Sequence, residues 1–327
     1  MTVVRAVGLL SGGLDSALAA RLLLDQGIDV IGLHLESPTA CRSDVREVAK
    51  DLGIRLVTRA KGEEYLRLLR HPRWGYGRNM NPCVDCRHFM FRLGQPYLEE
   101  FDARFLFTGE VVGQRPMSQV RDRLMLIDRA AGMEGLILRP LSARLLPETE
   151  AERRGWVDRS RLLAISGRSR QEQLALAARY GLKHYTSPGG GCLLTDAGYS
   201  RKLRDLLDHT PEERTTMVEV ALLSLGRHVR VSPDLKVVLG RNEAENRKLA
   251  EYQSTGRWLV EPEGFNGPSA LVCGPSGDDV LAEAVTLMLR HTRVVPEGAG
   301  VRWRVAGAWH ARPLALILDE PAAPPAA

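Results

Sequence analysis

The chain has 327 residues, of which 44% are apolar and 26% charged, with 45 Lys and Arg against 40 Asp and Glu for a net charge of +5. At roughly 100 to 200 residues per domain that is room for two domains, and the composition excludes a disordered chain or a bare binding peptide. No run of about 18 uncharged apolar residues occurs, and Met1 to Leu10 leads into a motif instead of a signal-peptide cleavage site, so a soluble cytoplasmic protein without membrane contact is expected.

The charge is uneven: residues 1–200 hold 29 basic and 23 acidic side chains, +6, whereas residues 201–327 hold 16 and 17, −1. A cationic first part favours a polyanionic partner. Five cysteines (Cys41, Cys83, Cys86, Cys192 and Cys273), odd in number and unevenly spaced, make no disulfide framework. In a reducing compartment they are thiols, redox groups or ligands.

Val3 to Leu10 is an apolar, β-branched run ended by Ser11-Gly12-Gly13, which predicts a buried parallel strand. Helical spacing from Ser16 to a C-cap at Gly27 follows, then a strand at Val30 to Leu35, a helix at Asp44 to Leu52 and a strand at Ile54 to Thr58. That alternation predicts an α/β fold with a doubly wound parallel sheet. Glu63 to Arg70 reads as a helix, His71 to Asn81 as an irregular loop, and Pro82 as the first turn of a helix reaching Phe101. Phe105 to Phe107 is a fourth strand and Ile137-Leu138 a fifth. Residues 142–182 read as mostly helical and Arg-rich, and Ser187 to Cys192 as a Gly/Pro loop.

Beyond it come helices at Ser200 to Leu207 and Pro211 to Leu223. Short strands (His228 to Val231, Lys236 to Leu239, Trp258 to Val260, Ala270 to Val272) then surround helices at Glu243 to Tyr252 and Asp279 to Leu289. The expected organisation is one domain over 1–208, a smaller α+β domain over 209–319, and a frayed Pro/Ala tail at 320–327. No internal repeat is present.

Ser11-Gly12-Gly13-Leu14-Asp15-Ser16 sits where a doubly wound sheet opens its ligand crevice. The glycines turn backbone N–H groups toward an anion, Ser11 and Ser16 add hydroxyl donors, and the helix start adds partial positive charge, which makes a pyrophosphate cradle. The Gly-Lys-Ser/Thr ending of a P-loop is missing, so transfer of a terminal phosphoryl group is not expected. Asp15 beside phosphates calls for a bridging cation, and Mg²⁺ suits carboxylate and phosphate oxygens. SGGLDS after an N-terminal strand resembles the PP-loop of the N-type ATP pyrophosphatases. The resemblance implies ATP binding, adenylation of a substrate oxygen and release of pyrophosphate.

Asn81-Pro82-Cys83-Val84-Asp85-Cys86 is a CxxC that alone stands open between a redox pair, a metal half-site and chance. No second CxxC or His pair completes a zinc site. With Cys192 in its Gly-rich loop there are three candidate ligands. Three thiolates can hold a [4Fe-4S] cluster with one open iron that carries hydrosulfide; alternatively Cys192 carries a persulfide that Cys83 or Cys86 resolves. Both routes need low-pKa thiolates, which the helix start and nearby Arg78 and Arg87 would favour. Cys41, after the second strand, and Cys273, ending an apolar run, are read as inert.

NPCVDC resembles the cysteine motif of tRNA 2-thiouridylases, while Thr108-Gly109-Glu110-Val111-Val112-Gly113-Gln114, Ser118-Gln119 and Leu138-Arg139-Pro140-Leu141 resemble tRNA 4-thiouridine synthetases. Over residues 1–200 the resemblance implies that Ser11, Gly12, Gly13, Asp15 and Ser16 hold ATP, that Gly109, Glu110 and Gln114 shape the nucleotide and target-base pocket, and that Cys83, Cys86 and Cys192 handle sulfur. It further implies a tRNA substrate and a sulfur donor, be it a cysteine desulfurase, a persulfide carrier or free sulfide.

Eight arginines stand between Arg139 and Arg170 against four acids, which reads either as a phosphate-tracking surface or as a solvated helix face. Gly167-Arg168-Ser169-Arg170-Gln171 is its compact, polar part nearest the Cys192 loop. Gly226 to Tyr252 resembles the NFACT-R-like domain of RNA-associated proteins, which implies local RNA contact through Arg227, Arg230, Arg241 and Arg247. Trp258 and Trp303 are read as core residues. An ATP-dependent tRNA sulfurtransferase is the leading expectation; a PP-loop synthetase acting on a small molecule and a non-catalytic RNA-binding adaptor are the rivals.

Overall fold

A computed structural model describes residues 3–40, 44–185, 192–305 and 307–318. Cys41, residues 187–191 of the Gly/Pro loop and the tail at 320–327 lie outside the described residues. The chain divides into two compact units, Met1–Ser200 and Arg201–Ala327. Among the described residues no helix is long and apolar enough to cross a membrane.

The first unit is built on five strands: β1 (Arg5–Leu9), β2 (Asp29–Glu36), β3 (Arg55–Ala60), β4 (Phe105–Thr108) and β5 (Ile137–Leu138). They run in the order β3-β2-β1-β4-β5, every neighbouring pair parallel. This is the doubly wound α/β sheet that the strand–helix alternation predicts. Alternate residues of the central strands enter two separate cores. Ala6, Phe105 and Phe107 pack with Leu18 and Leu22 of the helix Leu14–Leu24, and Val7, Leu9 and Leu106 pack with Phe91 and Ile127 on the other side. Both faces being covered, these strands carry no polar alternation.

Three local readings are corrected. Residues 142–182 are not mostly helical: short helical turns at Ala143–Leu145, Glu150–Arg153 and Arg159–Arg161 precede a single longer helix, Gln171–Tyr180. Gly155 and Gly167 adopt left-handed φ values of 67° and 83°, and Thr149 starts a fresh helix with a capping box to Glu152, so the backbone is interrupted repeatedly. The helix after Pro82 spans Cys83–Gly94 and is separated from Pro96–Glu100, where Pro96 lacks the N–H that would continue the ladder. A helix at Arg121–Ala130 is additional to the elements expected from the sequence; it buries only Leu124, Ile127 and Asp128, a stripe too narrow to stand out among its charges.

The second unit contains β6 (Arg227–Ser232), β7 (Leu235–Leu239), β8 (Arg257–Glu263), β9 (Ala270–Cys273), β10 (Gly300–Val305) and β11 (Ala308–Pro313), in the order β11-β10-β8-β9-β7-β6 and antiparallel throughout. The last two strands escape a sequence reading because their outward residues include Arg and Trp. The helix Asp278–Leu289 covers one face of the sheet, over Val237, Val260 and Val272, and Leu222 and Leu249 cover Val238, Leu259 and Leu271 on the other. Trp258 is buried and donates its indole N–H to the Pro275 carbonyl, in keeping with a core role.

Asp205 anchors this unit electrostatically, accepting from Arg230 at 3.0 Å and from the buried Lys236 at 2.8 Å. Burial alone would raise its carboxyl, but Arg230 and Lys236 hold it well below the usual range. A depressed carboxylate adds stability above its unfolded pKa and loses it as pH falls through its folded one. Asp205→Asn leaves Lys236 buried without its carboxylate and is expected to cost about 2 kcal/mol at pH 7. Urea melts of wild type and variant should converge as the pH falls below about 4; an equal gap at pH 7 and pH 3 would contradict this account.

Candidate functional site

Parallel neighbours β1 and β4 deliver two loops to the carboxyl edge of the sheet. The first, Leu10 to Gly13, runs into the helix Leu14–Leu24; its N-cap is Gly13, which has no side chain to occupy the amides of the first turn. Gly12 takes a left-handed φ of 73°, which turns the loop. Ser16 Oγ donates to the Gly13 carbonyl at 2.9 Å, and Ser11 Oγ lies 3.3 Å from both Ser16 Oγ and the Gly13 amide, which donates to it. These contacts fix the shape of the loop at the helix start.

The second loop follows Thr108. A Cβ placed on Gly109 would fall 2.4 Å from the Asp15 carbonyl carbon and from the Ser16 amide nitrogen. Only glycine lets the two loops touch here. Farther on, the Gln114 amide donates to Asp15 Oδ2 at 3.0 Å, and Arg170 stands 3.9 Å from the same oxygen. Asp15 Oδ1 is buried with no hydrogen-bond partner among the described residues, and Asp15 lines a cavity at this edge of the sheet. Arg170 arrives because Gly167 donates to the Val112 carbonyl at 2.7 Å, so the Gly167–Gln171 segment does reach the site.

Glu110 is buried against Arg139 at 3.0 Å and Arg87 at 3.2 Å, and Arg139 forks onto both Asp128 oxygens at 2.7 Å. Burial would raise the Glu110 carboxyl; Arg87 and then Arg139 hold it below the usual range. Arg139 is therefore a core residue, not part of a phosphate-tracking surface. Its neighbours in the Arg-rich stretch are mostly engaged as well: Arg159 with Glu152, Arg154 with Glu150, and Arg161 with the Asp25 carbonyl. Only the Arg154–Glu150 contact is the i,i+4 pair of a helix face.

The three thiols reach the same cavity, of about 270 Å³, that Ser11, Gly13, Asp15, Ser16, Gly109, Glu110 and Gln114 line. Cys83 and Cys86 come from the first turn of the helix Cys83–Gly94. Cys192 is tied to the segment after β2 by a bridge to Ala40, by Leu193 donating to the Thr39 carbonyl at 2.9 Å, and by its own S–H donating there at 3.6 Å. Lys61, at the end of β3, donates to Cys86 Sγ at 3.2 Å and Tyr65 donates at 3.6 Å. Burial opposes ionisation of Cys86, yet Lys61 and the Tyr65 hydroxyl bring its pKa below the ordinary thiol value.

The other two thiols differ. Burial raises Cys83 despite Arg115 and Arg87, and burial together with the charge of Cys86 pushes Cys192 up to about 12. The expectation of uniformly acidic thiols is corrected on this point: in a buried site only the thiol with a cation in direct contact ionises easily. Arg78 is not among the cavity-lining residues; Arg87 and Arg115 are. Lys61, Tyr65 and Arg115 carry much of the electrostatics and are not site residues on sequence grounds, although a lysine closing a strand at the carboxyl edge of a doubly wound sheet is a signal in itself.

Residues 1–144 match the ThiI family model. Its description is thiamine biosynthesis protein, and residues 226–302 match that of the NFACT protein RNA binding domain. A probable tRNA sulfurtransferase of Thermococcus kodakarensis is 27% identical over 146 residues, 42% of this chain and 36% of that protein. The tRNA-specific 2-thiouridylase MnmA of Symbiobacterium thermophilum is 27% identical over 236 residues, 62% of this chain and 55% of that one. A solved 4-thiouridine synthetase–RNA complex with bound ATP is 22% identical, covers 64% of this chain and 52% of its own, and superposes with a TM-score of 0.39. The chain spans about a third to a half of the length of the curated relatives it matches.

Two measurements check the site as built. Gly109→Ala must part the two loops and is expected to cost about 1–3 kcal/mol in a denaturant melt. In cluster-free protein at pH 8, iodoacetamide followed by peptide mass spectrometry should label Cys86 ahead of Cys192, and Lys61→Met should slow Cys86 toward the rate of an ordinary buried thiol. Preferential labelling of Cys192 would contradict the assigned ionisation.

Proposed function

We propose that this protein is an ATP-dependent tRNA sulfurtransferase that adenylates a uridine carbonyl oxygen and replaces it with sulfur, releasing pyrophosphate and AMP. The observation that carries the reading is that an open phosphate cradle and three thiols from distant parts of the sequence line one cavity. Adenylation turns an amide-like oxygen into part of a competent leaving group. Sulfur must then be supplied within the same enclosure, and thiols elsewhere on the molecule would not serve. The relatives named as tRNA sulfurtransferase and tRNA 2-thiouridylase support the substrate class, and the match to an RNA-binding domain supports an RNA partner.

In this reading the amides of Gly12 and Gly13, with the hydroxyls of Ser11 and Ser16, hold the ATP phosphates. The orphaned, buried Asp15 Oδ1 fits a Mg²⁺ ligand, while Gln114 and Arg170 on Oδ2 keep that carboxylate turned toward the cavity. Gly109 and Gln114 shape the nucleotide side. Glu110 acts at one remove: it fixes Arg87, whose charge faces the cavity wall beside Cys83.

The donor set also fits a [4Fe-4S] cluster. Among the described residues no group of three or more His, Cys, Asp and Glu is set to hold a single metal ion; what supports the cluster is that Cys83, Cys86 and Cys192, which would hold it, line one cavity. When bound, such a cluster supplies one iron without a protein ligand, where sulfur can be held.

The Lys61–Cys86 contact favours a second route to the same product. Here the terminal sulfur of a Cys192 persulfide attacks the adenylated carbon and expels AMP. The Cys86 thiolate then attacks Cys192 Sγ, the S–S bond to the transferred sulfur breaks, and the thiocarbonyl leaves behind a Cys86–Cys192 disulfide. An external thiol reductant returns both cysteines to the dithiol state.

The reading is tested with anaerobically purified protein, unmodified tRNA and ATP, supplied in parallel with sulfide or with a persulfide donor plus a thiol reductant, following AMP and the thiolated nucleoside by mass spectrometry. Cys83→Ala, Cys86→Ala and Cys192→Ala should each lower thiolation at least about 100-fold, a barrier increase of about 2.7 kcal/mol, while AMP still forms. Asp15→Ala should abolish both products. An iron-free preparation that thiolates tRNA from the persulfide donor but not from sulfide selects the persulfide route; tRNA-independent pyrophosphate release with a carboxylate substrate rejects the whole reading.

A further inference from the structure

The hairpin of β10 and β11 pairs Arg304 with Trp309 and Arg302 with Ala311. Directly paired residues share a face of the sheet, so Arg302, Arg304 and Trp309 stand together on one side. The opposite side holds the hairpin in place. Val301, Trp303 and Val305 pack on the core under the helix Asp278–Leu289, His310 stacks on Trp303 at 5.5 Å between ring centroids, and Arg312 is paired with Asp278 at 3.2 Å. Trp303 is thus partly core, as expected, and the strand beneath Trp309 is anchored from behind.

On the outer side Trp309 is 50% exposed, with the Arg302 guanidinium 4.9 Å and the Arg304 guanidinium 5.9 Å from its ring. Glu261 of β8 answers Arg302 at 2.9 Å, whereas Arg304 has no carboxylate partner among the described residues. Residues 300–313 hold three arginines, one histidine and no acid. A large exposed indole flanked by guanidiniums is unfavourable as bare surface and complementary to a nucleobase with its phosphate, since the ring offers a stacking face and the guanidinium a charge-assisted fork. An apolar protein surface would instead have to desolvate Arg304. Strand addition by a second copy is disfavoured too, because β11 carries His310 and Arg312 along its edge.

We propose that the outer face of this hairpin is a stacking platform for an unpaired base of single-stranded RNA, with Trp309 beneath the base and Arg304 on an adjoining phosphate. The inference deepens the proposed function by saying how the RNA partner is gripped, and it rests on that reading for the identity of the RNA. All but the first three of the fourteen residues 300–313 lie past the stretch 226–302 that matches the RNA-binding domain model. Of the four arginines expected to contact RNA on sequence grounds, three are paired with acids: Arg230 with Asp205, Arg241 with Glu245 and Arg247 with Glu243.

The test uses the full chain with neither ATP nor sulfur donor present. Binding of a fluorescein-labelled oligouridylate and of an RNA duplex is read by anisotropy over a salt series. Trp309→Ala should weaken single-strand binding about 5- to 100-fold and leave duplex binding unchanged, while Trp309→Phe retains most of the affinity. Arg304→Ala should reduce the magnitude of the log–log salt slope by about 0.7. Single-strand affinity of Trp309→Ala within twofold of wild type overturns the proposal, as does an effect confined to a concentration-dependent dimer seen by sedimentation. Weakened binding in a protein that never thiolates tRNA would sink the sulfurtransferase reading and leave the platform standing; thiolation with an indifferent Trp309 would do the reverse.

Discussion

The adjacency of β1 and β4 is the constraint on which the site depends. In a sheet ordered 3-2-1-4-5 the chain moves outward from β1 in one direction and then returns to its other side, so the loops after these two strands diverge and leave a crevice between them. At Gly109 the crevice floor narrows to backbone-on-backbone contact with Asp15 and Ser16. That contact fixes the height of the helix start relative to the β4 loop. The direction in which Asp15, Gln114 and Arg170 meet follows from it. A side chain at position 109 would be felt first at the cradle, long before the sheet itself was disturbed.

Behind this floor lies a buried charge network in place of apolar packing. Arg139 joins Asp128 and Glu110, and Glu110 passes the alignment on to Arg87. Such a cluster adds little net stability, because desolvating four charged groups offsets most of their attraction. What it does provide is orientation: a fully buried carboxylate with two guanidiniums has few alternative arrangements, so Arg87 is presented to the cavity in a fixed pose. Many of the cations of residues 1–200 stand in this network and in surface pairs, each matched by an acid. Net charge alone is therefore a poor guide to where RNA could lie.

Much of the first unit is legible in the sequence because its signals are local and strong. Buried parallel strands are continuous apolar runs, and a Gly-rich turn between strand and helix marks the crevice by residue type alone. The convergence of Cys192 with Cys83 and Cys86 follows from chemistry as an expectation; what brings it about physically is a backbone bridge between Ala40 and Cys192 that no periodicity announces. Lys61 and Tyr65 escape notice for a related reason. Their importance arises from β3 lying two strands from β1 and aiming its carboxyl end at the same cavity, a tertiary fact. In the second unit the β10–β11 hairpin is illegible because a strand with one face toward the core and Arg and Trp on the other looks, in one dimension, like a polar loop.

The thiols show what this placement accomplishes. Cys86 and Cys192 face one cavity, yet one is helped to ionise by a lysine and a tyrosine hydroxyl while the other is pushed up to about 12 by burial and by the charge of its partner. The two shifts have a common origin, since a negative Cys86 makes a second nearby anion costly in low dielectric. A site of this kind makes Cys86 the easier of the two to ionise, an unequal pair suited to directional exchange: the more readily ionised sulfur attacks, and the other is the one available to carry a transferable atom. Binding a polycationic metal centre would remove the inequality by stabilising every thiolate at once. Lys61, in direct contact with Cys86, is the cation on which that inequality rests.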